Sequence, residues 1–218
     1  REEIHAEVRK KGLLKTDSML GNILIDMYIK CRMIEKAQEV FDELPIHDAG
    51  SWTTLMAGYA QLGKINRIYA IFSKMIAKGI VPDGITFVIL LSACSHGGLL
   101  DELKNYFNIM KVFYHFPPTL EHYTCMVDLF SRAGCFENAI CVFHQAEISN
   151  CIQLWFSLLS ACQKWRNFDL RRWAFECSIQ LDEDNAAAYV CMSNIYADTG
   201  MYREEDQFES LGTKKGSG

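Results

Sequence analysis

The sequence predicts an all-α protein, a right-handed α-solenoid of stacked helix-turn-helix repeats, and three observations predict it. Related strings recur six times along the 218 residues. Two columns of residues keep one register through those copies. Each copy also carries two apolar stripes at helical spacing.

The clearest anchor is LLSAC, found at Leu90 to Cys94 and again at Leu158 to Cys162, 68 residues apart. Related strings are LIDMYIKC from Leu24, LMAGYAQLG from Leu55, MVDLFSRAG from Met126 and MSNIYADTG from Met192. The column behind the apolar pair holds Tyr28, Tyr59, Cys94, Phe130, Cys162 and Tyr196, so the spacings are 31, 35, 36, 32 and 34 residues. Four residues later come Arg32, Gly63, Gly98, Gly134, Arg166 and Gly200. A mostly glycine column there suits a left-handed turn that closes a helix. Thirteen residues after the first column stand Phe41, Phe72, Phe107, Phe143 and Phe175. In the sixth copy that place is Glu209, with Phe208 one position early, so the register is lost there.

Within a copy, Leu55, Met56 and Tyr59 precede Gly63, and Ile65, Ile68, Ile71, Phe72 and Met75 follow it. This pattern reads as a helix, a short turn and a second helix. Neither helix buries its apolar face alone, so units must stack around a continuous core to which the anchor aromatics belong. In KGIVPD, ending at Asp83, Pro82 is expected to stop the second helix before the next unit begins.

Composition narrows the function classes. Half the residues are hydrophobic, and four prolines and 14 glycines leave little room for linkers. A net charge of -5 disfavours gripping a phosphate backbone by bulk electrostatics, so any nucleic-acid binding must be local. The nine cysteines are scattered without a CxxC pair, which reads as reduced thiols in an intracellular or organellar compartment rather than as a zinc site. No apolar run reaches the length of about 18–20 residues that a membrane span needs. Residue 1 falls inside an amphipathic segment, which leaves room for a natural start and a targeting peptide upstream. There is no GxSxG, Walker loop or dinucleotide fingerprint, so no catalytic residue, metal or cofactor is assigned. The acidic run Asp182, Glu183 and Asp184 reads as a solvated turn.

The six units, with AGSWTTLMAGYAQLG and AIFSKMIAKGIVPD over residues 49–83, resemble the pentatricopeptide repeat family of plant organellar RNA-binding proteins. The tetratricopeptide family keeps a strict period, whereas these unequal lengths look like the P, L and S repeat types of one pentatricopeptide subclass. The resemblance implies a truncated L-type tail at 1–17, an S-type unit at 18–48 and a P-type unit at 49–83. It continues with an L-type unit at 84–119, an S-type unit at 120–151, an E1-like motif at 152–185 and a truncated or degenerate E2-like motif at 186–218.

The same resemblance implies which residues read RNA. Family members use a polar side chain six residues before the tyrosine column, together with the last residue of the unit. Those pairs here are Asn22 with Asp48, similar to a uracil-preferring combination, and Thr53 with Asp83, similar to a guanine-preferring one. Thr124 with Cys151 loses the terminal aspartate of the pattern. Val88 with Thr119 lacks a side-chain donor at the first place and is a weaker contact, while Phe156 and Asn185 fall in the E region, where base reading is not expected. Bases are sandwiched in the family by apolar second-position residues; Met19, Ile85 and Gln153 stand there, but Gly50 and Glu121 offer no stacking surface.

Related proteins often end in a DYW deaminase domain, whose zinc site needs HxE and a downstream PCxxC. His5-Ala6-Glu7 supplies the first string, but no PCxxC follows, and His5 is expected to sit in a repeat helix. The resemblance therefore implies a non-enzymatic specificity factor for C-to-U editing of single-stranded RNA in a mitochondrion or chloroplast. A DYW-type deaminase or other editing factor would act in trans or belong to a further C-terminal part of the protein, and no membrane is involved. The alternative from another class is an α-solenoid protein-protein interaction scaffold, which the acidic charge also allows.

Overall fold

The computed structural model describes residues 2–15 and 18–145, with Trp155, Leu158, Arg172, residues 174–176, Ile179, Tyr189, Val190 and Ser193. These residues are helical wherever they are regular, and they divide between two compact units, Arg1–Pro118 and Thr119–Gly218.

In the first unit, α1 (Glu2–Lys10) precedes three helix pairs. These are α2 (Ser18–Lys30) with α3 (Ile34–Glu43), α4 (Ala49–Gln61) with α5 (Ile65–Ala77), and α6 (Gly84–Gly97) with α7 (Leu100–Asn108), which runs on into a π-helical turn at Ile109–Phe113. Each pair packs on itself, and α4 also packs on α2, α3 and α6. The first helices thus form the spine. Leu24, Ile25, Leu55, Met56, Phe87 and Leu90, all at most 2% exposed, run through it as one core. Gly58 permits the close approach of α4 to α2, because a Cβ there would lie 2.7 Å from Ile29. His5 is buried on α1, with Nδ1 2.9 Å from the Tyr28 hydroxyl, which gives the HxE string a packing role.

In the second unit, α8 (Leu120–Arg132) packs on α9 (Phe136–Gln145) around Val127, Phe130, Ala139 and Phe143. Phe143 stacks on Trp155 with ring centroids 4.4 Å apart, and Phe175 meets Tyr189 edge-on at 5.5 Å.

One closure ends each of the four described first helices, and it explains both sequence columns. Arg32, Gly63, Gly98 and Gly134 have φ of 58°, 64°, 70° and 75°, the left-handed region expected of that column. The next residue then donates its N–H back to the carbonyl of the first column. The bonds are Met33 to Tyr28 at 2.9 Å, Lys64 to Tyr59 at 3.0 Å, Leu99 to Cys94 at 3.0 Å and Cys135 to Phe130 at 2.8 Å. The first-column side chains face inward: Tyr28, Cys94 and Phe130 are buried, and Tyr59 is half-buried with its hydroxyl donating to Gln38 Oε1.

Proline does not stop α5. That helix ends at Ala77, where Gly79 turns left-handed (φ 73°) and Ile80 donates to the Met75 carbonyl at 3.1 Å. Pro82 lies beyond this closure and immediately before Asp83, the residue that starts α6. A glycine that caps the helix by backbone hydrogen bonds acts earlier in the chain than a proline that could only forbid its continuation.

Candidate nucleic-acid interface

In three places among the described residues, the residue expected to end a unit is the N-cap of the following first helix. Asp48 caps α4, Asp83 caps α6 and Thr119 caps α8, all with extended backbone. An N-cap carboxylate satisfies amide groups that the first helical turn leaves unpaired, so its position is fixed by the helix it starts.

Asp48 Oδ1 accepts from the Ser51 backbone N–H at 2.8 Å and from Ser51 Oγ at 2.7 Å. Asn22, on α2 one unit earlier, donates its Nδ2 to the same oxygen at 3.4 Å. Burial pushes the Asp48 carboxyl up, but the Ser51 and Asn22 hydrogen bonds together hold it below its ordinary value. It is therefore a charged anchor. Because a carboxylate only accepts, the Asn22 amide must turn its nitrogen toward Asp48. Its buried Oδ1 then meets no protein donor.

At the second pair the geometry differs. Thr53 is 7% exposed, and its Oγ1 lies 3.0 Å from Thr86 Oγ1. Thr86 in turn donates its N–H and its hydroxyl to Asp83 Oδ1, each at 2.8 Å, while the Asp83 N–H reaches Thr86 Oγ1 at 3.3 Å. Thr53 and Asp83 are thus joined through Thr86. Since the Thr86 hydroxyl proton is given to the carboxylate, the Thr53 proton goes to Thr86, and Thr53 Oγ1 keeps only lone pairs to offer.

Thr124, on α8, donates its hydroxyl to the Leu120 carbonyl at 2.8 Å, a local bond within its own helix. Thr119 donates its N–H to His122 Nδ1 at 3.0 Å and its hydroxyl to Glu121 at 2.6 Å. Glu121 is held below its ordinary value chiefly by that Thr119 bond. Met19 and Ile85 are 70% and 64% exposed, large apolar side chains one turn away from Asn22 and Val88 on α2 and α6, while Val88 is half-buried. Cys151, Gln153, Phe156 and Asn185, and the acidic run 182–184, lie outside the described residues.

The intermediaries Ser51 and Thr86 were not singled out by sequence. A capping-box signal was there to be read: Asp48 and Ser51, Asp83 and Thr86, and Thr119 and His122 all stand three apart at a helix start. Among the described residues no group of three or more metal-ligating side chains gathers, and no helix is long and apolar enough to cross a membrane.

Comparison with known proteins agrees with this architecture. The model of the PPR repeat family matches residues 47–96, and the PPR repeat model matches residues 22–46, 85–114 and 121–151. Together they cover more than half of the chain. A mitochondrial pentatricopeptide repeat-containing protein of Arabidopsis thaliana is 37% identical over 98% of this chain and 32% of its own length. A chloroplastic one from the same plant is 38% identical over 98% of this chain and 29% of its own length. The chain thus spans about a third of the length of these relatives. Among solved structures, the pentatricopeptide repeat protein PPR10 in complex with an 18-nt psaJ RNA element superposes with a TM-score of 0.70 at 16% identity, covering 97% of this chain and 32% of that one. The PPR domain of Arabidopsis thaliana protein-only RNase P 1, in complex with tRNA, gives 0.60 at 20% identity, covering 72% of this chain and 86% of that domain. These likenesses show an all-helical stacked-repeat fold.

Proposed function

This chain belongs to the PPR repeat family, and on that premise we propose that it is a sequence-specific single-stranded RNA-binding protein, a specificity factor for C-to-U editing in a mitochondrion or chloroplast. The observation that carries the proposal is the Asn22–Asp48 pair, one amide fixed by one charged cap. Its Oδ1 is buried and unpartnered, an acceptor that a base N–H reaches once the amide turns outward. Uracil offers N3–H there, whereas neutral cytosine does not, so the pair favours uracil on hydrogen-bonding grounds. At Thr53 only lone pairs are offered, which suits the N1–H and N2–H donors of guanine and rejects the bare N1 of adenine. Exposed Met19 and Ile85 supply apolar surface against which bases can pack.

The unequal units support assignment to the P, L and S subclass, with the E-like motifs following at 152–185 and 186–218. In that arrangement the final S-type unit sits four nucleotides before the edited cytidine, which puts uracil at -7 and guanine at -6. The repeats bind and position; a DYW-type deaminase or another editing factor supplies the chemistry, in trans or from a further C-terminal part of the protein. Relatives named mitochondrial and chloroplastic support the organellar assignment. Selection of the 218-residue chain against a randomised RNA pool should enrich adjacent U and G in that order. A flat pool rejects the proposal, as does binding whose affinity ignores salt, because phosphate contacts release counterions.

A further inference from the structure

A second feature of the first unit is independent of the base-reading pairs. A cleft of about 690 Å³ opens between α3 and α5, and none of Asn22, Asp48, Thr53 or Asp83 lines it. Its floor is α4, through Trp52, Leu55 and Tyr59. Along one wall Tyr59 donates to Gln38, whose amide nitrogen donates to Asp42 at 3.0 Å. The other wall is α5 with its C-cap, which together contribute Ile71 and three exposed cations, Arg67, Lys74 and Lys78. Among the described residues these cations form no ion pair.

The cleft is a local omission, because the next second-helix junction is filled. Between α5 and α7, Tyr69 stacks on Tyr106 with centroids 5.7 Å apart, and Phe72 meets Tyr106 edge-on at 5.7 Å. Counted from the phenylalanine column, Gln38 stands where Tyr69 does and Ile71 where Tyr106 does. Two rings are thus replaced by an amide and an isoleucine, and the space stays open. The floor also holds an unmet donor: Trp52 is 5% exposed, and its indole N–H has no acceptor. A buried donor left unpaired destabilises the site that holds it.

We propose that this cleft docks an acidic peptide segment of a partner protein, with apolar side chains over Ala70 and Ile80 at its mouth and carboxylates on Arg67, Lys74 and Lys78. Charge complementarity selects the occupant. Among the described residues that line the cleft, three cations stand against one carboxylate, Asp42, so the lining is net positive in a chain whose total is -5. Single-stranded RNA fits less well, because it needs an exposed ring face for stacking. Trp52 is instead enclosed by Phe41 at 4.8 Å and His47 at 5.6 Å. The spacing also suits a peptide. Seven helical residues from Arg67 to Lys74 rise about 10 Å and four more to Lys78 about 6 Å, which an extended chain spans in about three and two residues.

The test uses the 218-residue chain and a fluorescein-labelled peptide of about ten residues, with glutamates two and three apart and leucines between them. Saturable micromolar binding is expected at physiological salt. The Gln38→Tyr/Ile71→Tyr double variant, which copies the neighbouring junction, should weaken binding at least tenfold, and so should Lys74→Glu/Lys78→Glu. In the unaltered chain the Trp52 indole N–H resonance should shift on titration, which reads the cleft without any variant. Absence of saturable binding, an unmoved Trp52 resonance, a filled cleft that binds equally well, or displacement of the peptide by uridine-rich RNA would each overturn the proposal.

Discussion

Thr53 Oγ1 lies 3.0 Å from Thr86 Oγ1, so the side chain expected to pair with Asp83 reaches it only through a residue of the following helix. Asn22, one unit earlier, touches its own aspartate directly at 3.4 Å. The two candidate pairs are therefore built differently. Thr53→Asn lengthens the side chain to the reach that Asn22 has, and should move the base preference at that unit from guanine to uracil. Selection with the variant measures this, and a retained guanine would show that the pair does not read bases.

Thr86→Val removes the hydroxyl that links Thr53 to Asp83 and half of the capping box that starts α6. The expected loss is about 1–2 kcal/mol of stability by denaturant titration. Thr86→Ser should recover most of it. Freed from Thr86, the Thr53 hydroxyl can donate as well as accept, so guanine-over-adenine discrimination should fall in the valine variant and return in the serine one.

Arg32 occupies a left-handed position (φ 58°) that glycine holds in the three other described copies of the closure. A side chain there strains the backbone, while glycine adds freedom to the unfolded chain, and the first effect is the larger. Arg32→Gly should stabilise the protein by about 0.5–1 kcal/mol. A lowered denaturation midpoint would contradict this account of the column.

His5 titrates below its ordinary value because burial, then Arg9, then Lys36 disfavour its charged form, with Glu39 opposing. The unfolded chain therefore takes up the proton first as pH falls. Stability should be full above about pH 6.5, the ordinary histidine value, and decline as pH drops toward the depressed folded value. His5→Gln, which cannot titrate, should flatten that part of the melting-temperature profile; an unchanged slope would assign the pH dependence elsewhere.

Much of this architecture was legible in the sequence because it rests on local rules. The closing column could be read from Gly63, Gly98 and Gly134, since few other residues tolerate the left-handed region, and Arg32 was placed by register alone. Core membership of Leu55, Met56, Ile68 and Met75 followed from helical spacing, and all four are fully buried. The end of α5 was misjudged because a proline is conspicuous while the backbone bonds around Gly79 leave no mark beyond one glycine. The Thr53–Thr86 link was not legible, because it joins neighbouring helices 33 residues apart and depends on their packing. The cleft was hidden for the same reason: an absence becomes visible only when Gln38 and Ile71 are set beside Tyr69 and Tyr106.

The hydrogen bond from the residue after the left-handed turn to the first column has a consequence for how such arrays change length. It fixes the segment Tyr28–Met33 and its counterparts at one size, and Phe41, Phe72, Phe107 and Phe143 keep one offset from it. Among these four units all variation falls after the phenylalanine. There α3 ends at Glu43, α5 extends to Ala77, and the third second-helix runs through its π turn to Phe113. Each repeat is thus a joint of constant size with an adjustable spacer. Units cut and rejoined between the phenylalanine and the next capping residue would exchange freely, whereas a single residue inserted inside the joint would break the closure.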